Sequence, residues 1–166
     1  MSDVSNVGIR PARLDEAPAL NELTKRSVLH WGYEPSFLEW EPEAITVDEP
    51  FMSRAIVYVL ELREDVIGYH ALIANGETII LDKLFLEPAQ IGCGYGRILW
   101  NHAISVAMEL GGTKLTFMAD PNAAPFYREM GARFIEEIPT SWTGWRLHSF
   151  DYALKTTSNE SPGAVL

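Results

Sequence analysis

The chain has 166 residues, and 47% of them are hydrophobic, enough for one domain with a real core and no second one. Thirteen basic against 23 acidic side chains leave a net charge of −10, which argues against sequence-independent nucleic-acid binding because no basic stripe can neutralise phosphates. No apolar run approaches the roughly 18 residues of a membrane span, the polar start Met1 to Asn6 carries no signal-peptide pattern, and the single cysteine, Cys93, allows no internal disulfide and fits a reducing, cytoplasmic setting.

In chain order, Val7 to Arg10 predicts a strand ended by Pro11. Asp15 is placed to cap a helix whose apolar positions Ala19, Leu20, Leu23, Val28 and Leu29 recur at helical spacing. The aromatic turn His30-Trp31-Gly32-Tyr33-Glu34-Pro35 follows, then short helical pieces from Ser36 to Met52, broken by Pro42 and Pro50. Alternation then predicts a meander: Ile56 to Leu62, a turn at Glu64-Asp65, Val66 to Ala74, a turn at Asn75-Gly76, and Glu77 to Leu86.

A glycine-dense turn interrupts the strands. Gly92-Cys93-Gly94-Tyr95-Gly96-Arg97 opens a helix running to about Leu110, with Gly111-Gly112 as its C-cap. Glycines expose backbone N–H groups just where a helix N-terminus offers more, so the turn is suited to a phosphate or pyrophosphate. A dinucleotide-binding turn would read G-x-G-x-x-G after a strand of a parallel βαβ series; here the third glycine is misplaced and a meander precedes it. Lys114 to Met118 predicts a strand parallel to its predecessor through the helical crossover. Asp120-Pro121 predicts another helix start, with Asp as N-cap and Pro at the first helical position, ending at Met130-Gly131. Ala132 to Ile138 and Leu147 to Leu154 are the last two strands, linked by Pro139 to Arg146, and a tail from Thr156 is expected to fray. The expectation is one α/β domain, ordered from 7 to 155, with a mixed central sheet of about seven strands and helices on both faces.

Candidate chemical groups follow from these positions. On strict alternation Asp82 shares a face with Ile80, Leu84 and Leu86, while Lys83 points the other way. A carboxylate there either pairs or faces a cleft. His70, on the neighbouring strand, is a second candidate, as a base or as a contact with substrate. His30, His102 and His148 are scattered without a metal-ligand spacing, so no metal is expected.

Leu84-Phe85-Leu86-Glu87-Pro88 followed by Gly92-Cys93-Gly94-Tyr95-Gly96-Arg97 resembles the acetyl-CoA-binding motif of the GNAT superfamily of N-acetyltransferases. The order of elements from Val7 to Lys155 is similar to that fold too. The resemblance implies a splayed parallel pair, with the backbone at Leu84, Phe85 and Leu86 holding pantetheine and the turn Ile91 to Arg97 cradling the pyrophosphate. Aligned on Gly94 and Gly96, the family's Arg or Gln falls on Ile91, with Gln90 one place early; donors of the main chain do not depend on that side chain. Asp120-Pro121-Asn122-Ala123-Ala124-Pro125-Phe126-Tyr127 resembles the family's Asn-x-x-Ala-x-x-Phe-Tyr helix. It brings Asn122 and Phe126 to the cofactor and makes Tyr127 the donor to the departing thiolate, a phenol protonated at neutral pH. Asp82, or water held by it, is the candidate base. Substrate recognition falls by the same resemblance to the first helix-turn and the link between the last strands: Trp31, Tyr33 and Trp40, with Trp142, Trp145 and Arg146. The expected activity is acetyl transfer from acetyl-CoA to a primary amine of a small molecule or peptide by direct attack, since no acyl-carrying nucleophile is evident. The alternative is a silent acyl-CoA-binding or regulatory domain. The sequence leaves open whether two chains pair as a homodimer.

Overall fold

The computed structural model describes residues 6–39, 42–140 and 145–154. Trp40, Trp142 and the tail from Thr156 lie outside the described residues. Seven strands form one mixed sheet in the order β1-β2-β3-β4-β5-β7-β6. The strands are β1 (Val7–Pro11), β2 (Ile56–Leu62), β3 (Asp65–Asn75), β4 (Thr78–Leu86), β5 (Lys114–Ala119), β6 (Arg133–Pro139) and β7 (Arg146–Ala153). All pairs are antiparallel except β4 and β5, which the helical crossover makes parallel. The helices are α1 (Ala17–Leu29), α2 (Pro42–Ile45), α3 (Glu49–Arg54), α4 (Tyr95–Glu109) and α5 (Ala124–Glu129).

Hydrophobic alternation sorts the two faces. On one, α1 and α3 bury Leu20, Leu23 and Phe51 against Val57, Val59, Tyr69 and Ala71. On the other, Trp100, Ala103 and Ala107 of α4 pack on Leu72, Ile79, Leu81, Leu115 and Phe117, with Tyr127 of α5 in the same cluster. Each fully buried side chain of this size contributes roughly 1.5–3 kcal/mol, so removing Leu20 or Leu99 would unseat a helix from its sheet.

Several local expectations are corrected. A single 3-10 turn, Leu14–Glu16, precedes α1, so the N-cap is Glu16 and Asp15 caps nothing. Glu16 instead accepts from the Arg13 N–H at 2.8 Å and takes both terminal nitrogens of Arg10. Pro42 and Pro50 start helices rather than break them, Pro50 sitting in the first turn of α3 behind the Asp48 cap. The first hairpin turns at Arg63 and Glu64, both with positive φ, one residue earlier than the expected pair. The second turns at Gly76 and Glu77, one residue later than expected. Asp120 does not cap a helix beginning at Pro121: residues 121–123 form a turn, and α5 begins at Ala124 with Pro125 in its first turn.

The bulge in β4 has the largest consequence. Ala71 pairs with Lys83 and Leu72 with Leu81, which leaves Asp82 as the extra residue. Alternation therefore slips by one. Leu81, Leu84 and Leu86 share the α4 face, whereas Lys83 and Phe85 turn to the α1 face. The strict period-two placement of Asp82 with Leu84 and Leu86, and of Lys83 opposite to it, does not survive the inserted residue.

Candidate active site

β4 and β5 pair over only three positions, Thr78 to Ile80 against Lys114 to Thr116. Beyond them the strands part, and among the described residues neither Leu81 to Leu86 nor Phe117 to Ala119 has a strand partner on the side facing the gap. Free N–H and C=O groups on an opened strand edge are a ready partner for an extended, amide-bearing arm. The gap is the floor of a cleft of about 1110 Å³.

At the top of β4 a 3-10 turn, Pro88–Gln90, delivers the glycine segment. Gly92 and Gly94 adopt φ of +85° and +93°, a conformation that disfavours any side chain, although a Cβ at either would meet nothing. It is backbone geometry, not lack of room, that calls for glycine there. Gly94 is the N-cap of α4, so the first N–H groups of a 15-residue helix open onto the cleft rim. Gly96 serves packing instead. A Cβ there would stand 3.3 Å from the Phe126 ring, so its absence lets α5 close on α4.

Of the residues singled out from sequence, Asp82, Leu84, Phe85, Leu86, Ile91, Gly92, Gly94, Gly96, Arg97, Asn122, Phe126, Tyr127, Trp31 and Trp145 line this one cleft. Others do not. Tyr95 is buried with Leu60, Ile67, Leu86 and Leu99, and Cys93 is exposed. Arg146 is exposed and does not line the cleft. His70 is corrected outright as a substrate contact. It is fully buried on the α4 face, its Nε2 is 2.9 Å from Nδ1 of His102, and Tyr58 stacks on it at 5.6 Å. Burial, and then the charge of His102, pushes its imidazole down to about 3, so it stays neutral.

Tyr127 stands among Trp100, Phe117, Phe126 and Phe150, with ring centroids 4.6–6.1 Å away. Its hydroxyl has no hydrogen-bond partner in the protein among the described residues, and burial raises it above the usual phenol range. A phenol in that setting keeps its proton at neutral pH.

Three features were not legible in advance. Asp120, just past the end of β5, accepts from Tyr33 Oη at 2.6 Å and from Trp145 Nε1 at 3.1 Å. Its other oxygen takes the Asn122 N–H at 2.7 Å and the Asn122 side-chain amide at 2.9 Å. One carboxylate thus ties the turn after α1 to the start of β7. Glu87 is held by a two-point pair with Arg26 at 2.9 and 2.6 Å, fastening α1 to the end of β4. Lys83, 1% exposed along its side chain, bonds Asp82 at 2.9 Å and lies 4.3 Å over the Phe51 ring. Among the described residues no group of three or more His, Cys, Asp or Glu side chains could hold a metal ion.

A split parallel pair with a glycine-lined helix N-terminus at its mouth is the arrangement that the resemblance in the sequence implied. Residues 25–132 match the model of the acetyltransferase (GNAT) family, and the chain belongs to that family. It is 30% identical over 128 residues to the peptidyl-lysine N-acetyltransferase YjaB of Escherichia coli K12, spanning 75% of this chain and 81% of that one. Among solved structures it resembles the PaiA N-acetyltransferase of Thermoplasma acidophilum in complex with coenzyme A, with a TM-score of 0.72 and 17% identity over 88% of this chain and 99% of that one. YncA of Salmonella typhimurium with its cofactor acetyl-CoA gives a TM-score of 0.66 and 20% identity over 90% and 95%. These likenesses agree with the mixed seven-stranded sheet and its splayed pair.

Proposed function

We propose that the protein transfers the acetyl group of acetyl-CoA to a primary amine of a small molecule or peptide, in the cytoplasm, by direct attack within a ternary complex. The observation that carries this reading is the open edge of β4 beside the glycine-lined N-terminus of α4, with Tyr127 on the same cleft. Gly92, Gly94 and the first turn of α4 would receive the pyrophosphate, and the backbone of Leu84 to Leu86 would hold the pantetheine arm, one N–H polarising the thioester carbonyl. The amine nitrogen bonds to the acetyl carbon as the C–S bond breaks; Tyr127 gives its proton to the leaving thiolate, and the nitrogen's proton passes to Asp82 or to water held by it. Tyr127 belongs to the cluster on the α4 face of the sheet and Asp82 bonds Lys83, which turns to the α1 face, so in this reading the donor and the acceptor would come to the gap from opposite faces.

The acceptor would enter from the α1 side, between Trp31, Ile45, Met118 and Trp145. Aromatic and apolar walls with carboxylates suit an ammonium-bearing chain. Similarity to a peptidyl-lysine acetyltransferase makes a lysine side chain the first acceptor to try. Calorimetric titration with acetyl-CoA, CoA and NAD, followed by transfer to a lysine peptide, tests the proposal. Micromolar binding of the two CoA ligands alone, with acetyl-lysine formed, supports it; silence from both CoA ligands would remove it.

A further inference from the structure

Burying a lysine is costly unless a partner repays the lost hydration, and a well-packed apolar residue at the same place would commonly serve stability as well or better. Lys83 is buried all the same. Its side chain is 1% exposed, set over the ring of Phe51, whose other cationic neighbour is Arg54 at 5.0 Å. Its carboxylate partner, Asp82, is the bulge residue of β4, 31% exposed, and both line the cleft. Without the bulge the two side chains would leave the strand on opposite faces. Among the described residues Tyr69 is a further titratable group near them: its hydroxyl bonds Thr24 of α1, and burial, with Asp82 as a smaller cause, raises it.

Resting on the acetyl-transfer reading above, we propose that Lys83 is a positioning residue that makes the cleft accept the amine as a free base. A lone Asp82 would hold an incoming ammonium as an ion pair and keep its lone pair occupied. With Lys83 already on the carboxylate, an ammonium hydrogen-bonded to the free side of Asp82 meets a like charge about 5 Å away, which disfavours protonation of the amine by roughly one to two pH units. The neutral amine can still donate one N–H to Asp82 and aim its lone pair at the acetyl carbon. Once the C–N bond forms, that N–H is far more acidic than in the free ammonium, so a charge-compensated carboxylate is base enough. The sulfur leaves with the proton of Tyr127, and solvent returns both groups to their starting states.

The test compares wild type, Lys83→Met, Lys83→Arg and Asp82→Asn, using a blocked tripeptide whose only amine is one lysine side chain, and n-butylamine. Because kcat reports ionisations in the bound complex, its pH profile is the readout. Lys83→Met should bind acetyl-CoA as wild type does, which certifies the fold. Its rising kcat limb should move up by about one pH unit, a roughly tenfold loss of kcat at pH 7, while the amine KM stays level or falls. Lys83→Arg keeps the cation and should keep the wild-type limb. A Lys83→Met enzyme with an unmoved limb, whether fully active or uniformly weakened at every pH, would mean that the lysine is only structural and overturns the inference. So would a limb displaced equally in Lys83→Arg. Wild type that transfers to neither probe at any pH overturns the parent reading instead. Transfer that persists in Asp82→Asn with an unchanged profile removes Asp82, and with it the role given to Lys83.

Discussion

Tyr33 Oη stands 2.6 Å from Oδ2 of Asp120, and Trp145 Nε1 reaches the same oxygen at 3.1 Å. Two segments far apart in the chain, one after α1 and one before β7, are therefore fixed to the end of β5 by one atom. The rings of Tyr33 and Trp145 meet edge to face at 6.2 Å, so the clamp also shapes an aromatic wall. Asp120→Ala should remove the acceptor that two half-buried donors share, at a cost of about 1–3 kcal/mol in urea unfolding. The acceptor KM should rise several-fold while acetyl-CoA affinity, which the proposed reading assigns chiefly to the β4 backbone and the turn before α4, stays within twofold. Equal losses on both ligands would show instead that Asp120 holds up the whole cleft.

Tyr127→Phe keeps the ring packing against Trp100, Phe117 and Phe150 and deletes the hydroxyl alone. Acetyl-CoA should bind unchanged, and turnover at pH 7 should fall about 10²-fold or more, the usual contribution of a positioned acid. Turnover unchanged within twofold would take Tyr127 out of the chemistry and leave it as core.

The order of seven strands, the crossover and the glycine turn were legible because each has a local signature: alternation, a helical period, paired glycines at a strand end. What failed was whatever depends on counting along one strand. The single inserted residue at Asp82 reverses which side Lys83 takes, and no propensity marks a bulge made of Asp and Lys. Asp120-Pro121 carries a strong helix-start signal, yet the aspartate is engaged by Tyr33 and Trp145, partners that only the assembled sheet brings near. His70 looked like a cleft histidine because its strand borders the right one; facing α4 rather than α1 puts it under His102. Tertiary neighbours, not local pattern, decide all three.

At Ile91 the turn lacks the cationic or amide side chain that similar turns present, although Ile91 itself lines the cleft beside Gly92 and Gly94. Ile91→Arg adds a guanidinium where backbone donors already converge. A partly exposed charge-assisted contact contributes about 1 kcal/mol, so acetyl-CoA and CoA should each bind roughly three- to tenfold tighter, and less so at high salt. Calorimetry at two salt concentrations decides it: no gain at low salt would mean that the phosphates do not pass Ile91.

The histidine pair between β3 and α4 should make the fold acid-sensitive. His70 is depressed from 6.5 to about 3 by burial and by His102, and His102 is lowered too, chiefly by burial. A folded state that resists protonation binds fewer protons than the unfolded chain below pH 6.5. The stability it holds is therefore complete above pH 6.5 and is lost as pH falls toward 3. For His70 alone this amounts to something on the order of 5 kcal/mol across the window. Urea midpoints should fall steadily from pH 7 to pH 4.5, and His70→Leu should flatten that slope whatever it does to stability at pH 7. A slope that the variant leaves intact would take His70 out of the acid sensitivity; the acids of the Arg10–Glu16 and Arg133–Asp151 pairs are held low by their arginines and lose their contribution only at more acid pH, below this window.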